Sequence, residues 1–169
     1  MSRVSPRVRV LVAGIGDRLM GDDGLGPAVV ERLKSADLPP CAEVEDYGKS
    51  LMELLMDLSE FDALILIDAF RRGGAPGSVY VMEIGREDLE DVTPETASSV
   101  ASMTFHELSV EAVLALAKAL GFLPARVLLI GVEPSRVEFG QPLSDPVEEA
   151  VPRVVDIVAR ELRALCSDE

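Results

Sequence analysis

Three side chains in this sequence are of the types that hold a divalent metal ion. Asp23 sits in a glycine-rich, acidic turn, "GIGDRLMGDDGLG", that follows an apolar run. Asp68 ends the apolar run "ALILID", and His106 is the only histidine of the chain. Two carboxylates and one imidazole, without cysteine, suit a borderline ion such as nickel or zinc and leave coordination positions open. Each residue also has a plainer reading. Asp22 and Asp23 can cap free N–H groups at a helix start, where the dipole favours an acid by about 0.3–1 kcal/mol. One aspartate suffices for that, which leaves the second unassigned. Asp68 can cap the loop "AFRRGG" or pair with Arg71 or Arg72, since a buried acid needs partners. "TFHE" has the form of a capping box, with Thr104 as N-cap and Glu107 at N3. His106 then falls at N2, where the dipole disfavours imidazolium and keeps the neutral, metal-binding form. An exposed first-turn histidine without a role is the plain alternative. The three residues lie far apart along the chain and match no local metal signature, so the fold must bring them together.

The glycine-rich turn invites a second chemistry, a phosphate cradle. Gly14 and Gly16 after a first strand begin the G-x-G-x-x-G fingerprint, but the third glycine is replaced by Leu19. Asp46 could stand for the ribose-binding acid at the end of the second strand. Against this, Asp17, Asp22 and Asp23 crowd the place of the pyrophosphate and would repel it.

The elements that must position these residues are legible in the apolar pattern. Val8 to Ile15 is a dense β-branched run, predicted as a buried strand. Apolar residues from Leu25 to Leu33 recur at helical spacing, and Pro27 requires that helix to begin near Asp23–Gly26. A strand is expected at Ala42–Gly48, a helix at Ser50–Leu58 and a buried strand at Ala63–Asp68. The run Ser78–Ile84 follows after a link too short for a helical crossover, which predicts an antiparallel neighbour of the Ala63–Asp68 strand. A polar loop runs to about Ala101. His106–Leu120 has helical periodicity, Ala125–Val132 is a further strand, and the last helix runs to about Leu165, with Asp145 as cap and Pro146 at N1. The alternation predicts an α/β fold: a single-domain three-layer sandwich over 1–169. Its sheet is mostly parallel and twisted, with about five strands of which one is antiparallel, and helices cover both faces. In such sheets ligands gather at the carboxyl ends of the strands, the edge where Asp23 and Asp68 fall.

Composition narrows the partners. The chain has 169 residues, 48% of them hydrophobic, and a net charge of −14. That is enough for one folded domain, and the charge speaks against nucleic acid or an anionic membrane. No apolar run has the length of a membrane span, and the basic start leads into a strand rather than a signal-peptide core, so the cytoplasm is the expected compartment. Cys41 and Cys166 show no CxxC spacing and are expected to be lone thiols, structural or incidental, in keeping with a reducing compartment.

Several ordered segments resemble the NiFe-hydrogenase maturation endopeptidases. They are "GIGDRLMGDDGLGP", "DYGKSLMELL", "LILIDAF", "FHELSVEAVLAL" and "LLIGVEPSRVEFGQPLSDPVEEAV", and the likeness runs from about Val10 to Val158. Such enzymes remove a C-terminal extension from the hydrogenase large-subunit precursor after nickel insertion. The resemblance implies that Asp23, Asp68 and His106 are the metal-binding, catalytic trio. It also implies that the nickel is carried by the substrate, with no tightly bound cofactor of the enzyme's own. The implied partner is the large-subunit precursor, and the expected state is a monomer. Two positions depart from the family pattern: its usual asparagine in the first loop is Asp17, and its "DGG"-like turn reads Asp46-Tyr47-Gly48. Asp46 is left either to assist in the cleft or to orient the loop. There is no G-x-S-x-G elbow, and the single histidine has no evident Ser or Cys partner. The alternatives are a non-enzymatic nickel or precursor-binding chaperone, a small nucleotide-binding domain, and a related peptidase acting on a different precursor.

Overall fold

The apolar runs of the sequence form one five-stranded sheet in the computed structural model, which describes residues 7–93, 95 and 109–167. The strands are β1 (Val10–Ile15), β2 (Ala42–Gly48), β3 (Ala63–Ala69), β4 (Val79–Ile84) and β5 (Arg126–Val132), ordered β2-β1-β3-β5-β4. The pairs β1–β2, β1–β3 and β3–β5 are parallel, and β4 runs antiparallel to β5. Among the described residues the helices that cover the sheet are α1 (Leu25–Lys34), α2 (Leu51–Asp57), α3 (Val110–Leu120) and α4 (Asp145–Cys166).

Strand alternation sorts the side chains into two cores. Val10, Val12, Ile65, Ile67 and Ile130 face α1 and α4, meeting Leu25, Val29, Val154 and Leu162. Leu11, Ala13, Leu64, Leu66 and Leu129 face α2 and α3, meeting Leu54, Leu58, Val113 and Ala117. This is the three-layer arrangement expected when both faces of a parallel sheet need cover.

Four local expectations are corrected. β4 neighbours β5 rather than β3, because β5 inserts between them. The burial of the two strands explains the choice. From Val127 onward β5 is buried, as a central strand must be, whereas β4 alternates between part-buried and exposed positions, as an edge strand can. The helix predicted over His106–Leu120 begins later: Ser109 is extended (φ −91°, ψ 162°), and its hydroxyl accepts the Ala112 N–H at 3.1 Å. The capping box expected of Thr104 and Glu107, and the N2 position expected of His106, lie outside the described residues. Ser144, not Asp145, is the N-cap of α4. Finally, Cys41 and Cys166 are not lone thiols but a disulfide with a Cα–Cα distance of 6.0 Å, joining the start of β2 to the end of α4. The pairing withdraws the thiol-based argument for a reducing compartment. No described helix is long and apolar enough to cross a membrane.

Candidate active site

A cleft of about 490 Å³ opens at the carboxyl edge of the sheet, above the ends of β1, β2 and β3. Its walls include Gly16, Asp23, Gly48, Lys49, Asp68, Phe70 and Glu111. The edge lies where the chain, having gone from β1 outward to β2, crosses back to β3, which is the place where α/β sheets form ligand crevices.

Asp23 reaches this edge on a short 3-10 turn, Gly21–Gly24, that leads into α1. Its Oδ2 accepts the Asp17 N–H at 2.8 Å. Asp68 reaches the same cleft from β3. Burial, then the charge of Asp23, push its carboxyl up to about 7. The Ala69 N–H works against that rise and Glu111 adds to it. Among the described residues Asp68 enters no ion pair. Arg72 lies over the Tyr80 ring at 5.5 Å and donates to Met82 Sδ at 2.9 Å, and among the described residues neither it nor Arg71 forms an ion pair with Asp68. The loop after Asp68 is anchored elsewhere, by Glu133, whose carboxylate accepts the N–H groups of Arg72 and Gly73 at 2.7 and 2.8 Å.

Asp22 separates cleanly from Asp23. It is fully buried and accepts from Ser135 N, Arg136 N, Ser144 N and Ser144 Oγ at 2.7–2.9 Å. Burial pushes its carboxyl upward, but these hydrogen bonds outweigh it and hold Asp22 below the ordinary range. Neither aspartate caps α1, whose N-cap is Gly24 without a side-chain bond. Capping of α1 therefore accounts for neither residue, although both stand in the first turn of the 3-10 segment that runs into α1, where the dipole favours an acid.

The turn's glycines serve close packing. A Cβ on Gly26 would overlap the backbone of Ile15 and the carbonyl of Ile67, and one on Gly16 (φ +131°) would overlap the Asp23 carbonyl. They let α1 approach β1 and β3 closely and let the Asp23 loop fold against the strand end. Asp17 and Asp46 hold loops. Asp17 accepts the Leu19 N–H at 2.9 Å and pairs with Lys49 at 2.9 Å, and these contacts, the Leu19 bond foremost, hold it below the usual carboxylate range. Asp46 accepts the Gly48 N–H at 2.9 Å and the Arg18 guanidinium at 2.8 Å. Of its two expected roles, loop orientation is the one these bonds describe.

Asp23 and Asp68 thus share one cleft, while His106 lies outside the described residues. Among the described residues no group of three His, Cys, Asp or Glu side chains converges as a metal site. Sequence reasoning missed Glu111, Lys49 and Glu133. Glu133 had a visible signal, an acid directly after a buried strand, the same pattern that marks Asp68.

A family model described as hydrogenase maturation protease matches residues 27–161, a span that begins just after Asp23 and contains Asp68 and His106. The hydrogenase expression/formation protein HupD of Rhizobium leguminosarum bv. viciae is 33% identical over 161 residues, covering 94% of this chain and 76% of that protein. The hydrogenase 2 maturation peptidase of Thaumarchaeota archaeon SCGC_AB-539-E09 superposes with a TM-score of 0.69 at 39% identity, covering 91% of this chain and 97% of the other. For the hydrogenase maturating endopeptidase HybD of Escherichia coli the TM-score is 0.75 at 29% identity, with 93% of both chains covered. This chain belongs to the hydrogenase maturation protease family.

Proposed function

We propose that this enzyme removes the C-terminal extension of a NiFe-hydrogenase large-subunit precursor after nickel insertion. In this reading the nickel belongs to the substrate and is engaged by Asp23, Asp68 and His106. The observation that carries it is the meeting in one cleft of Asp23, from the turn before α1, and Asp68, from β3, close enough that the charge of one raises the carboxyl of the other. Two carboxylates that repel each other across a solvent-accessible cleft are a site that a divalent cation relieves. The carboxylate form of Asp68 is the one that engages the cation. The bound ion then positions the scissile peptide and polarises its carbonyl or activates a water. Ser109, the hydroxyl side chain on the cleft wall among the described residues, is engaged as the cap of α3, and no serine nucleophile is invoked. An ion that arrives with the substrate makes precursor maturity the signal for cleavage, and the enzyme needs no resident cofactor.

The test is a mass measurement. Purified precursor, with and without nickel, is incubated with the protein. Loss of a C-terminal peptide from the nickel-loaded form alone is expected. Binding of the precursor without any shortening would replace the peptidase reading by a chaperone.

A further inference from the structure

Two carboxylates outside the cleft tie one stretch of chain to the two loops that carry its acids: Asp22 reaches that stretch from the first loop, and Glu133 reaches the second loop from the stretch. Asp22, next to Asp23, is gripped by Ser135, Arg136 and Ser144. The main chain repeats the connection: Asp22 N donates to Arg136 O at 2.9 Å, Gly21 N to Gln141 O at 3.1 Å and Gly140 N to Leu19 O at 2.8 Å. At the other end of the same stretch, Glu133 takes the N–H groups of Arg72 and Gly73, one on each carboxylate oxygen. Its own backbone exchanges bonds with Ser78 O at 2.9 Å and Gly77 N at 2.8 Å. Residues 133–144 are therefore pinned to the loop that precedes Asp23 and to the loop that follows Asp68.

We infer that Asp22 and Glu133 are positioning residues, and that the segment between β5 and α4 is the frame that fixes Asp23 relative to Asp68. The inference rests on the function proposed above for the identity of the reacting pair. Ser144 shows how strongly the frame is favoured. As N-cap of α4 its hydroxyl would ordinarily accept a helix N–H, yet no such bond forms and it donates to Asp22 instead. Both carboxylates meet N–H donors on both oxygens. An amide of the same shape turns one acceptor into a donor and leaves N–H facing N–H in a buried place.

The experiment compares Asp22→Asn, Glu133→Gln and Val158→Ala with the unsubstituted enzyme on nickel-loaded precursor, under conditions where each is folded. Val158 is a fully buried residue of α4 that no part of the cleft contains. Its truncation gives the effect of lost stability alone. The two frame variants are expected to lower kcat by about 10²-fold with KM held within about twofold, because misplaced reacting groups lose rate rather than docking. Val158→Ala is expected to keep kcat. Where Asp22→Asn does not fold, Ser144→Ala removes one of the bonds to Asp22 and is expected to shift kcat in the same direction. Amide hydrogen exchange supplies a readout independent of cleavage. Asp22→Asn should accelerate exchange in residues 70–77, and Glu133→Gln in residues 17–24, each through the shared segment. If the unsubstituted protein fails to cleave while this crossed exchange appears, the functional reading falls and the frame stands. Absence of crossed exchange, or frame variants with unchanged kcat, overturns the frame.

Discussion

Burial, and across the cleft the charge of Asp23, raise the carboxyl of Asp68, and among the described residues no arginine or lysine pairs with it. A definite pH dependence follows. The folded state holds the Asp68 proton up to about pH 7, whereas an ordinary aspartate releases it near 3.8. Between those values the folded state binds the extra proton, so stability falls as pH rises, and the penalty is complete above about 7. Asp68→Asn removes the ionisation. It should stabilise the protein by up to about 4 kcal/mol at pH 8 and hardly at pH 4, by urea unfolding at both. An equal effect at the two pH values would show that Asp68 ionises normally. Asp23→Asn should lower the Asp68 midpoint, read by carboxyl carbon NMR, because a like charge is lost.

The glycines of the first loop separate packing from phosphate chemistry. Gly26→Ala places a methyl group against the backbone of Ile15 and Ile67, atoms that cannot swing aside as a side chain does. It should cost about 3 kcal/mol, the upper end of overpacking effects. Gly73, by contrast, has nothing within 4 Å of an added Cβ, and only its φ of +82° resists substitution. Gly73→Ala should cost about 1 kcal/mol. Denaturant midpoints rank the two, and the reverse order would contradict the packing of α1 on the sheet.

What the sequence made legible were the features carried by local pattern. The β-branched runs of β1 and β3, and the two-sided burial they require, identify the layers and the edge at which Asp23 and Asp68 emerge. What it hid were relationships between distant segments. Asp22 and Asp23 are adjacent and chemically identical, and no local rule says that one is buried under Ser144 while the other faces a cleft. The short link before β4 points to β3 as its neighbour, but loop length limits reach without saying that β5 is inserted between them. The pairing of Cys41 with Cys166 spans a sequence separation of 125 residues and gave no spacing signal.

That disulfide closes the chain from Cys41 to Cys166 into one loop, holding the end of α4 to the β2 edge of the sheet. Restricting so long a loop in the unfolded chain stabilises the fold by about 2–5 kcal/mol. Reduction should therefore lower Tm by several degrees. Cys166→Ser should reproduce the reduced Tm and abolish the response to reductant. Thiol titration of the native, oxidised protein should find no reactive cysteine. Two titratable thiols and an unchanged Tm on reduction would show that the pair does not form in solution.

The remaining prediction concerns the trio as a unit. If Asp23, Asp68 and His106 engage one ion, each contributes to placing the same scissile carbonyl. Losing any one should then forfeit most of what the three supply together. His106→Ala, Asp23→Ala and Asp68→Ala should each slow processing of nickel-loaded precursor by about 10²-fold or more. The doubly substituted enzymes should be scarcely slower than the worst single variant, because residues acting on one centre are strongly non-additive. Multiplying losses would mean separate roles rather than a shared ion. Unchanged cleavage by His106→Ala, with the unfolding midpoint measured in parallel, would remove the histidine from the chemistry and leave a two-carboxylate site.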